Sequence, residues 1–237
     1  MGDENGMRLV FVRHGEPDYQ HDCLTEVGRE QAANTAIRLK DEDFKAIYAS
    51  PMGRAVETAS YTAKDHGLDV IPLDFMHEID WGNVKDGENL EFDGHPWSLG
   101  YKLLIENPEY IGSSAWDEHH YFKDNRCFEC YKRVSEGFDG FLESLGLVRK
   151  NGIYEYQRDN NDTIALFAHG GSGAVMFSHV LNLPFPFVLT TLPYGVCSVS
   201  IIDFEAQMGN KAVPRLELFN DMRHLGDYGM EKLHFDK

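Results

Sequence analysis

Leu9–Tyr19 reads LVFVRHGEPDY, and its first seven residues decide the fold. Four apolar residues run straight into Arg13, His14 and Gly15. A short apolar run closed by a glycine is how a buried strand ends at a tight turn. The pattern returns late in the chain as IALFAHGG, Ile164–Gly171, where His169 sits at the same kind of strand end. Between the two, the chain alternates. Met7–Val12 reads as a strand and Thr25–Lys40 as a helix, with Thr25 as its cap and Val27, Ala32, Ile37 and Leu39 as apolar positions. Lys45–Ala49 and Val70–Leu73 read as strands. A helix beginning near Pro51 lies between them, with Ala55, Ala59 and Ala63 spaced by four.

Cys127–Leu145 has helical spacing through Phe128, Tyr131, Val134, Phe138, Phe141 and Leu145. Thr163–Ala168 is a buried strand, and Gly171–Leu181 is a helix stopped around Pro184 and Pro186. Val196–Phe204 and Arg215–Phe219 are strands. Gly82–Asp124, rich in Gly, Asn, Asp, His and aromatic residues, reads as an irregular insertion. Strands alternating with helices predict an α/β fold: a three-layer α/β/α sandwich with a mostly parallel central sheet and an irregular inserted lid. The expected organisation is a single domain over 1–237 with the insertion at about 82–124. In such sheets ligands sit beyond the carboxyl ends of the strands.

A chain of 237 residues is long enough for one sizeable core plus a lid. Its net charge of −17 argues against a broad basic face for nucleic acid or anionic membranes. A few arginines can still build a local anion pocket. MGDENGMRL at the N-terminus lacks the apolar core of a secretory signal, and Gly6 stands where a myristoylation motif needs Ser or Thr. No apolar run is long enough to span a bilayer. The expectation is a cytoplasmic protein with Cys23, Cys127, Cys130 and Cys197 as free thiols.

A third strand end carries IYASPMGRAVETA, Ile47–Ala59, which puts Arg54 on the first turn of the next helix. Two arginines, two histidines and two helix starts can converge on one point. Fork-shaped donors, backbone N–H groups and positive charge are what a tetrahedral phosphoryl group needs. Singly, each feature is ordinary: a histidine after a strand is usually structural, and an arginine is usually a surface ion-pair partner. Their joint occurrence is harder to explain by packing.

RHGE at Arg13–Glu16, LTEVGREQA at Leu24–Ala33, SPMGRAVETA at Ser50–Ala59, HEIDWG at His77–Gly82 and AHGG at Ala168–Gly171 come in one order. Together they resemble the histidine phosphatase superfamily, the phosphoglycerate mutase-like group with an Arg-His-Gly motif. The resemblance covers about Arg8 to Phe204. It implies that His14 is the nucleophile and forms a phosphohistidine. It places Arg13, Arg54, His169, Gln20 and Gly170 around the phosphoryl oxygens, and implies no metal and no cofactor. It makes Glu78 the general acid, with Asp80 and His77 as rivals. A bound phosphate dianion would favour the protonated form of such an acid. The chain departs from the pattern at Pro17, where Thr is usual, and at Gln20, where Asn is usual. Gln20 is then the substitute phosphate contact. Ser50 is expected to cap the helix that follows it.

The superfamily contains phosphatases and mutases. A bisphosphoglycerate-type mutase must grip a second anionic end, but Gly82–Asp124 offers only Lys85, Lys102 and Lys123 among many acids. A phosphatase acting on a small phosphorylated substrate or a phosphoprotein is therefore expected. A mutase-type phosphotransferase and a non-catalytic phospho-ligand module are the alternatives. Trp97, Tyr101, Trp116, Tyr121 and the histidines His95, His119 and His120 can cap a pocket or simply pack the lid. His119-His120 with Cys127-x-x-Cys130 does not have standard zinc spacing, and idle thiols are the expectation.

Overall fold

The computed structural model describes residues 6–84 and 90–229. Lys85 and the polar start Met1–Asn5 lie outside the described residues.

The chain opens with β1 (Arg8–Arg13), a two-residue ladder β2 (Pro17–Asp18) with β3 (Cys23–Leu24), α1 (Glu26–Leu39), β4 (Phe44–Ala49), α2 (Gly53–His66) and β5 (Val70–Pro72). The insertion follows with α3 (Pro96–Glu106) and α4 (His120–Lys123). Then come α5 (Arg126–Ser144), the hairpin β6 (Leu147–Lys150) and β7 (Ile153–Tyr156), and β8 (Thr163–Ala168). The chain closes with α6 (Gly170–Leu181), α7 (Phe185–Thr191), β9 (Val199–Asp203), β10 (Lys211–Ala212) and β11 (Arg215–Asp221). Among the described residues no helix is long and apolar enough to cross a membrane.

The central sheet runs β11-β9-β1-β8-β4-β5. The β1–β8, β8–β4 and β4–β5 pairs are parallel, and β9 is antiparallel to both its neighbours. Alternation along β1 makes the layers. Val10 and Val12 pack with Leu39 of α1 and with Ala59 and Ala63 of α2. Leu9 and Phe11 face the other way, into a core shared with Phe138, Val175 and Phe177 of α5 and α6. Both faces are covered, so β1 and β8 read as near-continuous apolar runs. The expected three-layer α/β/α architecture is the one observed.

Thr25 caps α1 as expected, accepting from the Gly28 N–H at 3.0 Å. The insertion differs from the irregular reading, because Pro96–Glu106 is helical. Pro96 starts α3, and Gly100 lets it lie close to α7, since a Cβ there would sit 3.2 Å from Thr190 Cγ2. Leu99 and Leu103 alone carry its fully buried apolar stripe, which is why the period was hard to see. Pro184 and Pro186 do not merely stop α6; they open α7. The stop is Asn182, in the left-handed conformation.

Candidate active site

Four parallel strand ends supply the candidate residues. Arg13 and His14 close β1, and His169 follows β8. Ser50 follows β4 and leads to Arg54 on the first turn of α2. The chain leaving β5 carries Glu78. The β1–β8 register pairs Arg13 with Ala168, so the two histidines emerge side by side. Main-chain bonds continue the ladders past the strands: His14 N donates to Ala168 O at 2.9 Å and Ser50 N to Phe167 O at 2.8 Å. The imidazole centroids are 5.1 Å apart.

His14 is 1% exposed. Its Nδ1 is 2.7 Å from the Gly15 carbonyl oxygen, which accepts from it and so places the proton on Nδ1. Among the described residues Nε2 has no partner, and it is not one of the sealed-off nitrogens. Burial, then Arg13 and Arg54, push the ring's pKa down to about 3, so the imidazole is neutral at physiological pH. His169 is lowered too, by burial and then by His14 and the two arginines. Its Nε2 lies 2.7 Å from Ser50 Oγ, while Nδ1 is buried without a partner.

This has a consequence for stability. Between about pH 3 and pH 6.5 the unfolded chain binds a proton at His14 that the native chain does not, so stability falls as pH drops below about 6.5. At pH 5 the loss from this group is about 2 kcal/mol. Urea unfolding of the wild type and His14→Gln at pH 5 and pH 7.5 is expected to show the smaller acid loss in the variant. Equal losses would count against a buried neutral His14.

Arg13 Nη1 donates to Tyr194 O at 2.9 Å, and its Nε is buried without a partner. Arg54 is 5% exposed, and its Nη1 donates to Asp22 Oδ1 at 2.6 Å. Tyr19 lies over the Arg54 guanidinium at 5.4 Å. Asp22 Oδ2 also accepts from Gly53 N, at 2.7 Å, on the first turn of α2. Glu78 treats α6 likewise, accepting from Gly171 N at 3.1 Å and Ser172 N at 2.8 Å. Gly171 is required there, because a Cβ would come within 2.6 Å of Glu78 Oε1 and 2.3 Å of Ile79 Cγ1.

The helix starts are therefore not open anion sites as the sequence suggested. Each N-terminus already holds a carboxylate of the chain. Anion-binding donors must come from side chains instead.

Arg13, Arg54, Glu78 and Gly170 line a cavity of about 470 Å³. The rivals of Glu78 are elsewhere: Asp80 is exposed and paired with Arg126 at 3.2 Å, and the exposed His77 bonds the Asp74 carbonyl. Gln20 is exposed on the turn after β2, its N–H held by Asp18 Oδ1, and it does not line the cavity. The chain curls at Asp18–Asp22 so that Tyr19 and Asp22 reach Arg54 in its place. Ser50 bonds His169 instead of capping α2, whose N-cap position is Met52. Among the described residues no three His, Cys, Asp or Glu side chains gather as metal ligands would.

Residues 9–98 match the family model described as histidine phosphatase superfamily (branch 1). The match spans the stretch that builds β1, the Arg54 turn and Glu78.

Over that stretch the chain is similar to the histidine phosphatase superfamily.

A probable phosphoglycerate mutase of Proteus mirabilis is 24% identical over 96% of this chain and 99% of its own length. A 2,3-bisphosphoglycerate-dependent phosphoglycerate mutase of Thermoplasma acidophilum is 33% identical, over 35% of this chain. That alignment spans only 46% of the archaeal relative. The fold is similar to that of a phosphoglycerate mutase from Bacillus anthracis, with a TM-score of 0.63 and 20% identity over 95% of this chain and 98% of that one. A phosphoserine phosphatase from Entamoeba histolytica, in complex with 3-phosphoglyceric acid, aligns with a TM-score of 0.60. It is 24% identical over 92% of this chain and 99% of its own.

Tyr19, Asp22 and Tyr194 are site residues that the sequence reading did not select. Asp22 could have been sought as the carboxylate needed by a buried Arg54.

Proposed function

We propose that this protein is a histidine phosphatase-type phosphomonoester hydrolase that works through a phosphohistidine on His14 and acts on a small phosphorylated substrate. One observation carries the reading. His14 is held neutral with Nδ1 tied to Gly15 and Nε2 free, beside Arg13, Arg54 and His169. A neutral imidazole with one committed and one free nitrogen is ready to attack phosphorus. The buried Nε atoms of Arg13 and Arg54 and Nδ1 of His169 lack protein partners. The side chains of Arg13 and Arg54 line the cavity and carry the positive charge that suits a bound anion.

His14 Nε2 forms the new N–P bond as the ester P–O bond breaks. Charge spreading over the equatorial oxygens is met by the two arginines. Glu78, lining a cavity with Arg13 and Arg54, gives its proton to the departing alkoxide oxygen. Its carboxylate then takes a proton from the water that attacks phosphorus, which releases inorganic phosphate and returns the neutral His14.

Hydrolysis is favoured over a mutase reaction by the cations present. Among the described residues Arg13 and Arg54 are the only lysines or arginines lining the cavity. Lys102 is held by both Glu91 oxygens, at 2.8 and 2.6 Å, and Lys123 is exposed; neither lines the cavity. Phosphate release from a phosphomonoester panel in the presence of chelator is the test. Sustained turnover is expected, with no conversion of 3-phosphoglycerate to 2-phosphoglycerate. Interconversion without phosphate release would reverse the assignment.

A further inference from the structure

We propose, resting on the hydrolase reading, that the alcohol half of the substrate is an uncharged planar ring system set a short distance from the phosphate. The cavity has two chemistries. Arg13, Arg54 and Glu78 make its polar part. The rest is aromatic and aliphatic, with Trp81, Trp97 and Tyr101 facing Val188, Leu189 and Leu192 of α7 and its exit. At about 470 Å³ it falls in the size range of pockets for drug-sized ligands. A phosphoryl group alone would leave most of it empty.

The aromatic wall is preorganised. Trp81 and Trp97 meet edge to face, with centroids 6.1 Å apart at 81°. His95 packs edge-on to Trp81 at 5.3 Å and lies tilted by 32° against Trp97 at 5.3 Å. The three rings fix one another, so stacking a planar ligand costs little side-chain ordering. Two polar side chains of the wall are already engaged. Ser98 Oγ lies 3.1 Å from His95 Nδ1, and Tyr101 Oη donates to Thr190 O at 3.1 Å.

A second negative charge would fare poorly. The wall provides no lysine or arginine among the described residues, and the chain's net charge of −17 opposes anions at longer range. A carboxylate placed there would lose water without gaining a cation. A ring would gain area burial and aromatic contact.

The test compares alkyl phosphates of similar leaving-group reactivity. 2-Phenylethyl phosphate is expected to exceed 3-phosphoglycerate in kcat/KM by about 100-fold or more, and glycerol 3-phosphate by about tenfold. In Trp97→Ala the ratio of 2-phenylethyl phosphate to glycerol 3-phosphate should fall about tenfold, and in Trp97→Phe most of it should return. A wild-type preference for either polar substrate overturns the inference and leaves the hydrolase reading standing. So does a ratio that Trp97→Ala does not change. Failure of the wild type to release phosphate from any of the three removes the hydrolase reading, and the inference with it.

Discussion

Replacing His14 by alanine is expected to lower kcat/KM for phosphomonoesters by at least about four orders of magnitude while the protein stays folded. The size follows from the role. Arg13 and Arg54 remain able to bind the phosphoryl group, but among the described residues the neighbouring His169 offers no free imidazole nitrogen. His169 engages Ser50 through Nε2, and its Nδ1 is sealed in the interior. Binding and charge stabilisation then persist without a nucleophile, and residual hydrolysis depends on unassisted water. The fold should survive because β1 is held from both sides, by β8 over Arg8–Arg13 and by β9 from Arg8 to Val12. Far-UV circular dichroism and urea unfolding check the fold, and phosphate release checks turnover. A variant that keeps a tenth of the wild-type rate would require another nucleophile.

Glu78→Gln should slow hydrolysis of an alkyl phosphate by about 10²–10⁴-fold and that of 4-nitrophenyl phosphate by about tenfold or less. A nitrophenolate leaves without a proton, whereas an alkoxide needs one. The same side chain also accepts from Gly171 and Ser172 at the start of α6. Glutamine retains one acceptor oxygen but turns an NH₂ toward a backbone N–H, at a stability cost of about 1–3 kcal/mol. Urea unfolding separates that cost from the loss of rate. The diagnostic quantity is the ratio between the two substrates, since a helix start that was merely loosened would slow both equally.

Much of this arrangement was legible in the chain because it is written in short local signals. Apolar runs ending in Arg13-His14-Gly15 and Ala168-His169-Gly170 marked β1 and β8, and their parallel pairing then put the histidines together. Arg54 was placed by counting from a strand end into a helix start. Contacts that cross the fold left less trace. Asp22 reaches Arg54 from an irregular loop beyond a two-residue ladder, where neither period nor cap fixes a side chain's direction. Ser50 looked like a cap because it precedes a helix, yet α2 begins three residues later and the hydroxyl turns to His169. The same loop geometry lifts Gln20 out to solvent and brings Tyr19 over Arg54. In the insertion, the polar and aromatic composition hid α3, whose fully buried apolar stripe is only Leu99 and Leu103.

The most direct measurement is a rapid-quench experiment with a ³²P-labelled phosphomonoester, followed by peptide mapping of the trapped enzyme. The account predicts an acid-labile, alkali-stable phosphoryl group on the peptide that contains His14, formed and lost at rates consistent with turnover. Label on any other residue, or turnover with no labelled enzyme at any quench time, would contradict it.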